Sequence, residues 1–376
     1  MVYLDWNATT PVSDEVTALV TRLMREDFGN ASSRHAAGRG PAEAVRVARG
    51  QVADLLGCRA SHLFFTSGAT ESVNTVIKAL ARPGGHIVTQ RTEHAAVTES
   101  CEAVAAAGTR ITTLAVSRDG LCRPDAVAEA IAGGADLVTI MWANNETGAI
   151  QPIEEIAAVC RRAGVPLHSD ATQAVGKIAV SAETVDYLSL SGHKFGGPKG
   201  AGGLFVRGRR PPAPLLHGGG QEGGVRGGTL NVPAIAGMGL AATEVAAVVA
   251  DRPRIAARRD RFETTLSQGL SAAGTPVQFF SRSVDRLPNT SYFAAKGLNA
   301  ESLVKRLGDI VVSSGAACSM TRTEPSRTLR AMAVDAADLA AAVRVSIGPT
   351  TTDADLTAAA ERIIEAAHWT RFLTAG

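Results

Sequence analysis

The chemistry this chain could perform is concentrated at the ends of apolar stretches. Only six lysines occur, Lys78, Lys177, Lys194, Lys199, Lys296 and Lys305. Lys194 closes the run Ser189-Leu190-Ser191-Gly192-His193-Lys194, just past the apolar stretch Val185 to Leu190. An amine at the carboxyl end of a strand can be desolvated, lose basicity and form a Schiff base with a carbonyl. Asp170 follows the stretch Val165 to Ser169 in the same manner. A carboxylate there can hold the protonated ring nitrogen of a cofactor. Thr66-Ser67-Gly68-Ala69-Thr70-Glu71 lies between an apolar run and a helical pattern. That junction offers free backbone N–H groups and hydroxyls to a phosphate. His94, after the stretch His86 to Gln90, could stack on a flat ring and move protons. Asn144-Asn145-Glu146-Thr147-Gly148 follows another apolar run ending at Trp142, and Cys318 sits in Ser313-Ser314-Gly315-Ala316-Ala317-Cys318 with Arg322 and Arg327 near enough in sequence to favour a thiolate.

Each feature alone has an ordinary alternative. From position alone Lys194 reads more readily as a surface lysine in a Gly-rich loop, Asp170 also reads as a helix N-cap, and Cys318 as an incidental thiol. Strand–Ser–Gly–helix junctions are common, a lone His is usually a loop residue, and the Asn-rich segment can be a plain turn. The order of the features carries more than any one of them: phosphate cup, stacking His, Asn, Asp at a strand end, Lys at a later strand end, then a Cys. The Thr66–Glu71 junction is neither a Walker A loop nor a G-x-G-x-x-G, so ATP and NAD lose their usual support there.

The elements that must position these groups alternate. Strands are predicted over 63–65, 86–90, 110–116, 136–142, 165–169 and 186–191. Helices are predicted over 69–82, 95–107, 124–132 and 152–163, bounded by Gly and Pro. The pattern implies βαβ units and a mainly parallel sheet covered on both faces, with ligands beyond the strands' carboxyl ends. A Gly/Pro-rich region over 196–228 interrupts it, with one possible strand at Gly203–Val206. One long Ala-rich helical stretch, Pro233 to about Gln268, follows, and signals from about Thr275 onward, including strands at 309–313 and 344–347, read as a second domain.

The chain has 376 residues, 45% hydrophobic and 20% charged, with a net charge of +2, an ordinary globular composition. So small a charge argues against direct nucleic-acid binding. No transmembrane helix and no secretory signal is expected, which points to the cytoplasm. The five cysteines, Cys58, Cys101, Cys122, Cys160 and Cys318, are odd in number and form no C-x-x-C pair, so no zinc site or disulfide framework is expected. All but Cys318 read as buried or inert thiols.

Taken together, the motifs resemble those of the cysteine desulfurases of the NifS/IscS type, in the class V aminotransferases. The resemblance runs from Tyr3-Leu4-Asp5-Trp6-Asn7-Ala8-Thr9-Thr10-Pro11 to the segment around Arg344. It rests on TSGATES (66–72), TEHAAV (92–97), NNETG (144–148), HSDATQAVGK (168–177), SGHKFGGPKG (191–200), RGGTLNVP (226–233) and SSGAACS (313–319). The spacing from Cys318 to Glu324-Pro325-Ser326 resembles the subgroup with a long cysteine loop.

The resemblance implies an α/β fold of the pyridoxal-phosphate (PLP) transferase type I: a large domain (15–250) with a mainly parallel seven-stranded sheet flanked by helices, and a smaller α+β domain (1–14 and 251–376). It implies that Lys194 carries pyridoxal 5'-phosphate, Asp170 pairs with its ring nitrogen, and His94 stacks on the ring and assists proton transfer. Gln173 and Asn145 would bond the region of its phenolic oxygen, Asn145 also the substrate. Ala69, Thr70, Ser191 and His193 would hold the phosphate, with Thr229 supplied by the partner subunit of a homodimer. Arg344 would clamp the carboxylate of L-cysteine, and Cys318 would be the nucleophile that takes the sulfur as a persulfide, leaving alanine. A sulfur-acceptor or scaffold protein is implied, serving iron–sulfur assembly, tRNA thiolation, DNA phosphorothioation or a sulfur-containing metabolite. Selenocysteine lyase, another class V PLP activity and a non-catalytic sulfur-relay partner are the competing readings. Three positions depart from the family pattern: Gly224 and Pro349 stand where arginines are common, and Trp142 where a His is.

Overall fold

The computed structural model describes residues 1–208, 211–314 and 325–374, with side chains up to residue 367. The chain opens with a short strand, β1 (Val2–Tyr3), and two helices, α1 (Asp14–Arg25) and α2 (Ala36–Leu56). The alternating region then forms β2 (Leu63–Thr66), α3 (Ala69–Leu80), β3 (His86–Gln90), α4 (Ala95–Ala105), β4 (Arg110–Leu114), α5 (Pro124–Ala130), β5 (Leu137–Thr139), α6 (Ile153–Ala163), β6 (Leu167–Asp170), β7 (Tyr187–Ser191) and β8 (Gly202–Val206). These elements match the expected ones within a few residues at each end.

The strands β2 to β8 make one sheet in the order β2-β8-β7-β6-β5-β3-β4. The run from β7 to β4 is parallel, and β8 pairs antiparallel with both of its neighbours. Both faces are apolar, as a covered parallel sheet requires. One face joins a large core with α2 and α6, including Val138, Leu188 and Phe205; the other packs Ile87, Leu137 and Leu204 against α3 and α4. Because β2 runs the same way as β7, the carboxyl ends of β2, β3, β5, β6 and β7 lie on one rim. The antiparallel β8 approaches that rim closely. A Cβ on Gly202 would stand 2.4 Å from the Gly68 Cα, so only glycine lets this strand meet the turn after β2.

The long helical stretch is two helices, α7 (Val232–Ala250) and α8 (Arg252–Ala272). Pro253 explains the division: it lacks the N–H an uninterrupted helix needs and suits the first turn of a new one. α7 is also long and apolar enough to cross a membrane by length and composition, which the sequence reading did not foresee. It packs on α1 and α2 as a core helix, and its Glu244 accepts from Ser13 Oγ at 2.9 Å. Where α7 crosses α2, a Cβ on Gly239 would fall 2.5 Å from the Ala48 Cα. That close crossing holds α2 helical in spite of Gly38, Gly40 and Pro41, which hide it from sequence patterning.

The remaining elements are β9 (Val277–Phe279), β10 (Thr290–Ala295), α9 (Ala300–Leu307), β11 (Ile310–Val311), β12 (Ser313–Ser314), α10 (Arg327–Ala331), α11 (Ala336–Ala340), β13 (Ala342–Ser346) and α12 (Asp353–Thr374). The single strand expected over 309–313 is thus two. An antiparallel sheet, β12-β13-β10-β9, packs with α8, α9 and α12 around a second core that includes Phe262, Phe293, Val343 and Ile363. The N-terminus belongs here: β1 pairs parallel with β11, and Leu4 lies in this core.

Candidate active site

The rim of the large sheet and the edge of the small one enclose a cavity of about 320 Å³. β6 ends on Asp170, whose Oδ1 accepts the Thr172 N–H at 3.0 Å, so the following turn fixes the carboxylate. Two residues earlier on the same strand face, His168 lies fully buried between Thr139 Oγ1 and Ser189 Oγ, both at 2.8 Å. Burial pushes its pKa down to about 4 against the pull of Asp170, so this imidazole is neutral at physiological pH.

β7 ends on Ser191, and a tight turn over Gly192–Lys194 carries Lys194 to the cavity. Its Nζ donates to the Asn7 and Ala8 carbonyls, each at 2.8 Å. Ser191 Oγ accepts from the Ala69 N–H at 2.7 Å, tying this strand end to the N-terminus of α3. The cavity wall there is Ala69 and Thr70, the first turn of a twelve-residue helix, where backbone N–H groups and the helix dipole favour an anion. Behind it Glu71 accepts the Ser67 N–H at 2.8 Å and pairs with Arg226 at 2.9 Å. Burial acts to raise the Glu71 pKa, but the bonds from Arg226 and Ser67 outweigh it and leave the carboxyl below its ordinary value. His193 also lines the cavity. Its Nδ1 lies 3.1 Å from Thr9 Oγ1, and burial, then Lys194, Lys199 and Lys177, push its pKa down to about 4.

His94 caps α4, its Nδ1 accepting the Ala96 N–H at 3.1 Å. An accepting Nδ1 carries no proton, so the neutral ring holds its proton on Nε2. Its neighbour Glu93 is buried: Oε1 accepts from the Met141 N–H at 2.6 Å and Gln90 Nε2 at 3.1 Å, while Oε2 has no partner among the described residues. Burial raises its pKa to about 8 against the Met141 bond, and the charge of Asp170 adds to the rise.

The far wall comes from distant sequence. Arg344, on β13, donates to the Asn145 carbonyl at 2.9 Å and to Asp5 Oδ1 at 2.7 Å; among the described residues its buried Nε has no partner. Asn144 shapes the turn that presents Asn145, accepting the Glu146 and Thr147 N–H groups at 2.9 Å. Glu146 in turn accepts from Ser326 Oγ and from Thr328 Oγ1, the latter at 2.9 Å, at the start of α10. Gln173 Nε2 donates to the Asn7 carbonyl at 2.9 Å.

All the residues expected at the site line this cavity except two. Thr229 is exposed, in the segment before α7, and does not line it. Cys318 lies outside the described residues. The other four cysteines are free; burial pushes Cys101, Cys122 and Cys160 up to about 12, as inert thiols require, and Cys58 to about 11. The sequence reading did not pick out Asp5, Asn7, Ala8, Glu93, Met141 and Thr172 as site residues. Asp5 and Asn7 lie in the opening motif that carried the resemblance, so their signal was present but unused. A second, mostly apolar cavity of about 350 Å³ lies on the other side of Lys194. Pro349 and Thr350 line it, where the family pattern has an arginine at the first of these positions. The titratable groups converge on the smaller cavity, and the chemistry belongs there.

The donor set suits PLP. The first turn of α3 and Ser191 offer N–H and hydroxyl groups to a phosphate, Asp170 a carboxylate to a pyridinium, and Lys194 an amine to an aldehyde. Thr172 Oγ1, buried in a wall residue and without a partner among the described residues, leaves a further hydrogen bond to be made. The volume lies within the usual range for cofactor sites, roughly 300–1,000 Å³.

The comparisons agree. The aminotransferase class V model matches residues 2–358. Cysteine desulfurase IscS of Anaeromyxobacter sp. (strain Fw109-5) is 42% identical over 377 residues, covering 97% of this chain and 92% of that protein. The IscS of Glaesserella parasuis serovar 5 (strain SH0165) is 42% identical over 371 residues, covering 94% and 90%. Among solved structures, a NifS-like protein superposes with a TM-score of 0.87 at 34% identity, over 97% of this chain and 98% of that one. The chain belongs to the class V aminotransferase family, with the type I fold of PLP-dependent enzymes. Within that family its activity is that of a cysteine desulfurase, which uses PLP to take sulfur from L-cysteine for transfer.

Proposed function

We propose that the smaller cavity is the desulfurase site and that its residues divide the work as follows. The observation that carries this reading is the convergence of Lys194, Asp170, His94 and Arg344, from four separate elements, on one cavity. Lys194 anchors PLP, Asp170 holds its ring nitrogen, Gln173 and Asn145 face its phenolic oxygen, and Ala69, Thr70, Ser191 and His193 hold its phosphate. Bound there, PLP supplies an electron sink for the bonds to the substrate's Cα. Arg344 fixes the carboxylate of L-cysteine, with Asp5 orienting the guanidinium. The Lys194 amine, displaced by substrate, takes the Cα proton. His94, with its proton on Nε2, would move protons within the cavity. The Cys318 thiolate attacks the substrate sulfur; the C–S bond breaks as the S–S bond forms, and the carbon keeps the electron pair and gains a proton, giving alanine. The flanks of Cys318 support its role: Ser313 pairs with Arg344 across β12 and β13, and Ser326 is held by Glu146, next to Asn145.

The chain divides into a large domain, 15–250, and a small one, 1–14 with 251–376, in keeping with the two cores. It forms a homodimer, and Thr229 enters the partner's site. Its exposure supports this, as do exposed Met24, Phe28 and Val47 on and beside α1 and α2. The free described cysteines suit the reducing cytoplasm. The near-neutral charge favours an acceptor protein over direct contact with nucleic acid.

The test uses purified protein given L-cysteine without reductant. Alanine together with one added sulfur on the Cys318 peptide is the expected result. Bound PLP with neither product overturns it, and selenocysteine is then the substrate to try.

A further inference from the structure

The turn after β6 carries a buried lysine, Lys177, which the proposed mechanism does not use. Residues 171–178 form a helical turn, with Ile178 N–H donating to the Ala174 carbonyl at 3.1 Å, so Lys177 falls one turn beyond Gln173. Lys177 is only 7% exposed. Its Nζ donates to Gln173 Oε1 at 2.7 Å and to the Gln173 carbonyl at 3.2 Å. Among the described residues it makes no ion pair. Burial, then the cations Lys194 and Arg344, push its pKa well below the ordinary lysine value. Such an amine is costly to bury, and an apolar chain of the same length would fill the space at less cost.

What Lys177 does is define the amide beside it. Gln173 Oε1 takes the Lys177 hydrogen bond while Nε2 gives one N–H to the Asn7 carbonyl at 2.9 Å. A flipped amide would set its oxygen against that carbonyl and its NH2 against the amine. The orientation is therefore fixed from both ends, and the second Nε2 N–H is left for the cavity that Gln173 lines. The same Asn7 carbonyl also receives Lys194 Nζ, so one acceptor joins the orienting chain to the reactive amine.

We infer that Lys177 is a positioning residue of the cofactor site, holding the Gln173 amide so that it offers an N–H, and not a carbonyl, to the phenolic oxygen of PLP. The inference rests on the cavity being the PLP site. The test titrates apo-protein with PLP and follows both affinity and the pH midpoint of the bound cofactor's absorbance. Lys177→Met is expected to weaken PLP binding about tenfold, as loss of an oriented buried hydrogen bond does. It also moves the midpoint up by about half a unit, since a donor on the oxygen no longer draws charge from the neighbouring nitrogen. In a Gln173→Ala background Lys177→Met is expected to add nothing. Wild-type affinity and midpoint in Lys177→Met overturn the inference, as does an equal loss in both backgrounds. If Lys177→Met does not fold, Lys177→Leu, which also removes the donor, takes its place in the same cycle, with the same expectations. Lys194→Ala separates the two readings. If it keeps the covalent cofactor absorbance, the cavity assignment fails and the inference with it. If it loses that absorbance while Lys177→Met behaves as wild type, only the role of Lys177 fails.

Discussion

The two walls of the cavity are built differently. The large-sheet wall consists of strand ends and the turns directly after them: Asp170 on β6, Ser191 and Lys194 after β7, Ala69 and Thr70 after β2, His94 after β3. Each is placed by the strand before it, and parallel pairing sets the strands' mutual register. The opposite wall is assembled from Asp5, Asn7, Asn145 and Arg344: side-chain bonds join the first two to the small sheet, and the Asn145 carbonyl accepts from Arg344 at 2.9 Å and from Asn7 Nδ2 at 3.2 Å. Arg344 Nη2 reaches Asp5, Asn7 Nδ2 donates to Thr290 Oγ1 at 2.9 Å, and Asn289 Nδ2 donates to Asn7 Oδ1 at 3.0 Å. On the proposed assignment, strand ends fixed by sheet pairing make the cofactor side the rigid wall, whereas side-chain links make the substrate side the more adjustable one. Damage to the first should abolish chemistry, and damage to the second should change how substrate is held.

The largest expected effect is on the rigid wall. Lys194→Ala should lower desulfuration by on the order of 10³-fold or more, as loss of a nucleophile does, with an unchanged far-UV circular dichroism spectrum. A rate near wild type would remove Lys194 from the chemistry. Next comes the substrate wall. Pro349 leaves no second arginine, so Arg344→Ala should lower kcat/KM for L-cysteine by about 10²-fold or more, the scale of a lost buried charge contact. PLP affinity, measured by titrating the apo-protein, should hardly change; equal loss of both would mean that the walls are one unit. Asp5→Asn keeps a hydrogen-bonding partner for Arg344 but removes the charge. It should raise KM about tenfold or less and leave kcat nearly intact, as the loss of charge assistance to one hydrogen bond predicts.

The smallest effects are on pH dependence behind the rigid wall. The folded pKa of His168, about 4, lies below its unfolded value near 6.5. Its contribution to stability is present above pH 6.5 and lost as pH falls toward 4. Glu93 is opposite in sign: its folded pKa, about 8, lies above the ordinary 4.5. Its contribution is full below pH 4.5 and lost as pH rises through 8. Melting curves of apo Glu93→Gln between pH 5 and 9 should therefore lose less stability toward alkaline pH than wild type, by about a few degrees. Identical slopes would show that Glu93 does not carry this titration.

The rigid wall was legible in the sequence because its information is local. An apolar run predicts a strand, and the polar residue after it stands at the carboxyl end. Parallel order then brings successive ends to one rim, so Asp170, Lys194 and His94 could be named from chain order and the family resemblance. What sequence patterning did not reveal depended on contacts between distant segments. α2 is helical because α7 packs on it at Gly239. The divided strand at 309–314 follows from β1 claiming one part and β13 the other. Asp5 meets Arg344 from the opposite end of the chain, and no periodicity records that meeting.

The chain by itself determined the order of strands and helices, the reactive residue types and their places at strand ends, since these follow from local hydrophobic patterning and turn chemistry. Only the tertiary structure decided which of those residues share a cavity, that Arg344 is oriented by Asp5, that His168 is neutral, and that Lys177 lies buried against Gln173. These are matters of distance and desolvation, which depend on the burial that folding imposes and not on the identity of neighbours along the chain.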